Sequence, residues 1–212
     1  MILRIAYALM LLILAPAIQA QQLDTLLLMS GQEVLISVSN DTGTVILGTV
    51  AKRNGKLREV SIHKLDIYSH SKANGQKTIY YAEDWAQEYY LSPEEMQVYL
   101  IGAGDAKKGY RAKGVLVVGI LFSGTIAYLG GDGWSTVFLP TLLYMGGQFI
   151  GKIQIDHDSM RDAKYMYNDY YAAGYEAPAR SKKIVRAAQG GYSGAALGFI
   201  LSLLINNGAS VL

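Results

Sequence analysis

Three glycine-studded apolar stretches, Gly114–Gly131, Ser135–Gly151 and Gly190–Ile205, contain no Lys, Arg, Asp or Glu. A helix that is apolar all round must be buried in protein or in lipid. A water-soluble domain rarely carries three, so the pattern predicts a membrane unit. Gly114–Gly131 holds nine Val, Ile, Leu or Phe residues, worth roughly −3 to −5 kcal/mol on the insertion scale before its small and polar residues are counted. Ser135–Gly151 holds seven but includes Pro140 and Gln148. It is marginal alone and is expected to enter as a hairpin with the first stretch, turning at Gly131-Asp132-Gly133-Trp134. At 16 to 18 residues each, all three lie at the short end for a full span, and partly re-entrant helices stay open as an arrangement.

Small residues recur at helical spacing inside these stretches. Gly190, Gly194 and Gly198 form G-x-x-x-G-x-x-x-G, extended by Ser202; Gly119, Ser123 and Ala127 repeat the spacing, and Gly147 with Gly151 does so once. Residues four apart share a helix face, and small ones let two backbones approach where lipid supplies no hydrophobic drive. A glycine zipper for helix packing is expected at Gly190, Gly194, Gly198, Gly147 and Gly151, within the chain or between copies.

Residues 1–20 read as a signal peptide: Arg4 in the charged region, Ile5–Leu14 apolar, and Ala15-Pro16-Ala17-Ile18-Gln19-Ala20 as the processing site, with Gln21 the mature start. The rival reading is an uncleaved anchor. The chain has no cysteine, which excludes disulfides, thiolate metal sites and thiol nucleophiles. A net charge of +2 gives no pull toward nucleic acid. Sixteen tyrosines against four phenylalanines favour positions with an apolar body and a wet tip, as at a bilayer boundary.

Residues 21–84 form a small β module. Leu26–Met29, Glu33–Val38, Val45–Ala51, Leu57–Ile62, Ile67–His70 and Thr78–Tyr81 read as short strands, punctuated by Ser30-Gly31, Asn54-Gly55 and Asn74-Gly75. A strongly bent barrel or two-layer sheet of SH3-like size is expected, giving an α+β chain. Its Lys and Arg residues cluster at turns, as a solvated rim. Residues 85–113 are a linker helix, opened by the capping box Ser92-Pro93-Glu94-Glu95 and running from Pro93 to about Tyr110.

The remaining segments are a membrane hairpin at 114–151, a Tyr-rich basic interfacial helix at 152–189, a third apolar helix at 190–206 and a tail at 207–212. Within 152–189 a helix over Asp156–Ala173 is expected, capped by Asp158 or Ser159 and interrupted by Pro178. Lys107, Lys108, Arg111, Lys113, Lys182, Lys183 and Arg186 are candidate membrane-surface residues. They raise a conflict. A cleaved leader exports the β module and brings these cations to its side of the membrane, whereas the positive-inside rule would hold them in the cytoplasm. The processing site favours export, with the cations meeting anionic headgroups from the periplasmic side of the bacterial inner membrane.

Gly104-Asp105-Ala106 followed by Tyr110, a Gly-rich apolar hairpin with a proline, Tyr171-x-x-Gly174, Lys182-Lys183 and a final Gly-rich stretch resemble a family of uncharacterised, signal-peptide-bearing envelope membrane proteins of Bacteroidota. Members carry a similar β module with a closing Asn-Gly turn, here Asn74-Gly75. The resemblance implies a location and an architecture but no activity. Ala177-Pro178 departs from the pattern and predicts a break in the second basic helix.

Chemistry is sparse. Asp156-His157-Asp158 is the one cluster that could attract a metal, but neighbours on a helix diverge, and acids at a helix start serve as caps. Nucleophile-elbow, metalloprotease and phosphate-loop patterns are missing from the sequence. No acid interrupts an apolar stretch as an ion or proton path would need. Neither enzyme nor cofactor is expected. Two functions compete: a non-enzymatic envelope protein whose exported module meets a protein partner or the membrane surface, and a pore or transport component built through the Gly-x-x-x-Gly faces. For the second, Ser123, Thr125, Thr141 and Gln148 are few to line a water path. The partners implied are membrane lipid and a protein or a second copy.

Overall fold

A computed structural model describes residues 23–52, 54–83, 90–130 and 134–209. The leader, the start at Gln21, the hairpin tip 131–133, the linker residues 84–89 and the end of the tail fall outside the described residues. The chain divides into two compact units, one of residues up to 27 with 33–80, the other of 28–32 with 81–212.

The first unit is an antiparallel sheet of β1 (Asp24–Leu28), β2 (Glu33–Asp41), β3 (Val45–Ala51), β4 (Leu57–His63), β5 (Ile67–Ser71) and β6 (Lys77–Ile79), ordered β4-β3-β2-β1-β5-β6. The expected barrel does not close: β4 and β6 end the sheet. Alternation sets the register. Ile46 and Gly48 of β3 point inward with Leu26, Ile36 and Ile67, and Val45↔His63 through Ala51↔Leu57 pair without a slip. Gly48 is required by packing, since a Cβ there would meet the Ile36 side chain at 2.7 Å. The Asn-Gly hairpins work as a pair of Asx turns. Asn54 Oδ1 accepts from Lys56 N at 3.2 Å and Asn74 Oδ1 from Gln76 N at 3.0 Å, while Gly55 and Gly75 take φ of 76° and 87°. Buried His70 meets Asp24 across 2.7 Å, and the other Asp24 oxygen accepts from Ala73 N.

The second unit holds, among the described residues, four helices: α1 (Pro93–Gly109), α2 (Lys113–Leu129), α3 (Trp134–Ile150) and α4 (Asp169–Ala209). Ser92 and Glu95 make the expected reciprocal cap of α1. Between α1 and α2 the chain breaks over three residues and turns by 53°. Ala112 there takes φ 26°, the one positive φ outside glycine among the described residues.

Two expectations fail after α3. The predicted helix over Asp156–Ala173 is instead two single 3-10 turns, His157–Ser159 and Ala163–Tyr165, before α4 begins. Asp156, Asp162 and Asn168 each accept a backbone N–H two or three residues on, and so start and stop the chain locally. Nor does Pro178 interrupt: α4 runs 41 residues straight past it. An interior proline costs about 3 kcal/mol, but Tyr171, Tyr175 and Ala179 are fully buried on both sides of it in one cluster with Ala106, and that packing carries the helix through. Tyr165 stacks on Tyr171 at 5.6 Å and Tyr110 meets Tyr175 edge-on at 6.1 Å. Tyr167 and Tyr170 stay exposed.

Candidate functional site

The helical unit is organised by two glycine-mediated crossings on α4. In the first, Gly190, Gly194 and Gly198 lie directly on the α2 backbone at Leu116, Ile120 and Gly124. A Cβ on Gly194 would stand 2.6 Å from Ile120 Cα, and one on Gly198 2.9 Å from the Gly124 carbonyl carbon. From the other side Gly119, Ser123 and Ala127 of α2 are buried. Gly191 faces Thr141 of α3, and the Tyr144 hydroxyl donates to the Val115 carbonyl at 2.6 Å. Gly147 has nothing within 4 Å of its Cβ position, and Gly151, past the end of α3, approaches only the Lys183 ammonium.

The second crossing joins α1 to α4. Gly174 sits on the Tyr99 backbone and Gly102 on the backbone of Tyr171 and Tyr175. Beside it the buried Asp105 accepts from the Tyr171 hydroxyl and from Arg161 N, both at 3.0 Å, with the Arg161 guanidinium 3.6 Å away. Burial, with the Asp105 carboxylate next, holds the Tyr171 phenol above the usual tyrosine range, so it stays a donor. Lys182 then closes the end of α1, donating to the carbonyls of Ala106, Lys107 and Tyr110. In the same way Arg180 donates to the Phe149 carbonyl at the end of α3 and pairs with Glu176. Asp105, Ala106, Tyr110, Tyr171, Gly174 and Lys182 converge on this one crossing, whereas Gly104 lies against the Gly31 backbone.

No family model, curated protein or solved structure matches this chain. Its site has to be read from its own geometry.

Of the seven candidate surface cations, Lys108, Arg111, Lys113, Lys182 and Arg186 line one cavity of about 600 Å³ at the α1–α2 break. Lys183 lines another, with Lys152, Asp156, His157 and Asp158. Lys107 turns away to donate to the Ser30 carbonyl at 2.8 Å. No acid lines the first cavity. Burial first, and then the neighbouring Arg186 and Arg111, pulls the Lys182 ammonium below the usual lysine range. At the cavity's edge α2 begins at Ala112 with no side-chain cap, so the positive end of its dipole adds to the field. Asp156 caps the first 3-10 turn, accepting from Asp158 N at 3.2 Å. His63 does the same for Leu65 N.

The rest of α2, α3 and the second half of α4 shows large apolar side chains on its outer face. Leu129 is 74 % exposed, Ile150 88 % and Leu204 66 %, with Leu121, Leu143 and Leu201 similar. Inside, the buried positions are small or hydroxylic: Gly119, Ser123, Ala127, Thr141, Ala195 and Ser202. α4 contains a segment long and apolar enough to cross a bilayer, Asp169–Ile205, and α1 with α2 passes the same test only as one bent pair. The sequence missed the Gly102–Gly174 crossing and the two cationic caps. Gly174 belongs to no small-residue repeat, Gly102 shares that spacing only with Ala106 outside the apolar stretches, and a lysine that caps a helix 76 residues away has no local pattern.

Proposed function

We propose that this chain is a non-enzymatic, membrane-anchored protein of the bacterial cell envelope, held by α2, α3 and the second half of α4. It would display its β module in the periplasm for contact with a protein or the membrane surface. The inverted distribution of side chains carries the reading. Exposing a Leu or Ile to water forfeits about 1.5–3 kcal/mol of burial, and a helical unit that shows this many would lose as much as a whole domain's stability. In lipid those side chains are solvated, and small residues inside give the close backbone packing that membrane helices use. The cations at the start of α2, the end of α3 and the middle of α4 suit the headgroup level, consistent with a hairpin and a third helix entering from one side. The resemblance to envelope proteins of Bacteroidota and the leader support export. Weighing against a pore assembled through small-residue faces, α2 and α4 spend those faces on each other.

Alkaline carbonate washing of membranes from cells that make the full chain tests the anchor. Retention in the pellet, with release only by detergent, is expected; release by carbonate alone refutes it. A phosphatase reporter joined at Asn74 should be active if the β module is exported.

A further inference from the structure

We propose that the groove between α2 and α4 seats one anionic phospholipid, its phosphate headgroup in the basic cavity and an acyl chain along Ile120, Gly124, Leu197 and Leu201. This rests on the membrane reading above. The cavity gathers Lys108, Arg111, Lys113, Lys182 and Arg186 and no acid. Arg111 and Lys113 have no ion-pair partner among the described residues. Asp156 and Asp158 share a neighbouring cavity of about 430 Å³ with Arg111 and Lys113. Five cations against two neighbouring acids leave a net demand for negative charge, and the uncapped start of α2 sharpens it.

The apolar half lies on the same two helices. A second cavity of about 530 Å³ is floored by Gly124, Gly194 and Gly198 and walled by Ile120, Leu197 and Leu201. Leu197 follows Arg186 by eleven residues and Gly124 follows Lys113 by eleven, three helical turns in each case, so each pair shares a face about 16 Å apart. That reaches from the headgroup level into the deeper half of one leaflet's acyl layer, which is about 15 Å thick. The glycines that allow the helices to touch also leave their flank bare of side chains, and a chain methylene fits there. Free phosphate would use the basic cavity alone; an amphiphile uses both. A zwitterionic headgroup would bring its own ammonium against five cations, so the site favours a net-negative phospholipid.

The test uses the full chain, purified in detergent and stripped of lipid, with binding read by native mass spectrometry and titration. Dioleoyl phosphatidylglycerol, dioleoyl phosphatidylcholine and inorganic phosphate are the probes. The expected order is phosphatidylglycerol at least tenfold tighter than phosphatidylcholine. Lys113→Gln with Arg186→Gln should weaken phosphatidylglycerol about 25-fold, from roughly fivefold per cation near a headgroup, and leave phosphatidylcholine unchanged. Arg186→Lys should retain binding. Both cations lie outside every helix cap described above, and circular dichroism confirms that the variants fold. Leu197→Asn should weaken the lipid and not inorganic phosphate. Equal affinity for the two lipids, or no loss in the double variant, overturns the proposal. Displacement of lipid by inorganic phosphate at equal affinity, with Leu197→Asn silent, overturns it in favour of a free anion. Carbonate release of the chain would sink the anchor reading by a separate measurement.

Discussion

Gly194→Ala and Gly147→Ala make the same chemical change in two helices, and their effects should differ in sign. At Gly194 the added methyl lands 2.6 Å from Ile120 Cα and 2.8 Å from its carbonyl carbon. Ordinary contact is 3.4–4 Å, so the helices must part by roughly 1 Å. The obstacle is backbone and cannot rotate away. Overpacking of this kind costs about 1–3 kcal/mol, and parting the helices also loosens Gly190 on Leu116 and Gly198 on Gly124, which share the crossing. Replacing a helical glycine by alanine returns about 0.8–1 kcal/mol of propensity, so the net loss should be about 1–2 kcal/mol. At Gly147 nothing lies within 4 Å, and only the propensity gain remains, up to about 1 kcal/mol of stabilisation. The assay is unfolding by dodecyl sulfate in mixed micelles, followed by far-ultraviolet circular dichroism, with both variants beside the parent. A difference of about 2–3 kcal/mol between them is expected. Equal shifts would mean that the small-residue face of α4 does not press on α2, and the reasoning would fail.

Ser123→Ala should be neutral or stabilising by about 1 kcal/mol in the same assay, because the buried Ser123 hydroxyl has no hydrogen-bond partner among the described residues. Lys182→Met should cost about 1–3 kcal/mol and, more tellingly, speed amide exchange in the last turn of α1, whose carbonyls lose their shared donor. Alkaline titration followed by tyrosinate absorbance should show Tyr171 ionising after the ordinary tyrosines, and Tyr171→Phe should delete that late step. Its pKa is raised on folding, so its stabilising contribution is complete below the usual tyrosine value of about 10 and falls as pH rises beyond it. Stability that is flat across that range refutes the Asp105–Tyr171 contact.

Much of this architecture could be read along the chain because local rules and tertiary packing agree. The strands from Glu33 to His63 alternate, and Asn54-Gly55 and Asn74-Gly75 turn where glycine alone is comfortable. The box at Ser92 starts α1 within a residue of its expected place. Legibility ends where two local signals compete, or where distant contacts outvote a local one. Met160, Ala163 and Tyr167 have helical spacing, yet Asp156, Asp162 and Asn168 capture the backbone first. Pro178 spells an ending, and the tyrosine cluster against α1 overrides it. Lys182 read as one more surface cation because its acceptors are a helix end far away in sequence. The basic cavity is half legible: the sequence marks its residues as surface cations, but only the fold separates the five that converge from Lys107 and Lys183.

The unbroken course of α4 has a mechanical meaning. At 1.5 Å per residue, 41 residues make a rod about 60 Å long, roughly twice the thickness of a hydrocarbon core. If its glycine half is the part dissolved in lipid, the Tyr171 end stands about 30 Å clear of the oily layer as one stiff mast. A change of tilt forced by a thicker or thinner bilayer would then swing that end sideways, turning membrane thickness into movement outside the membrane.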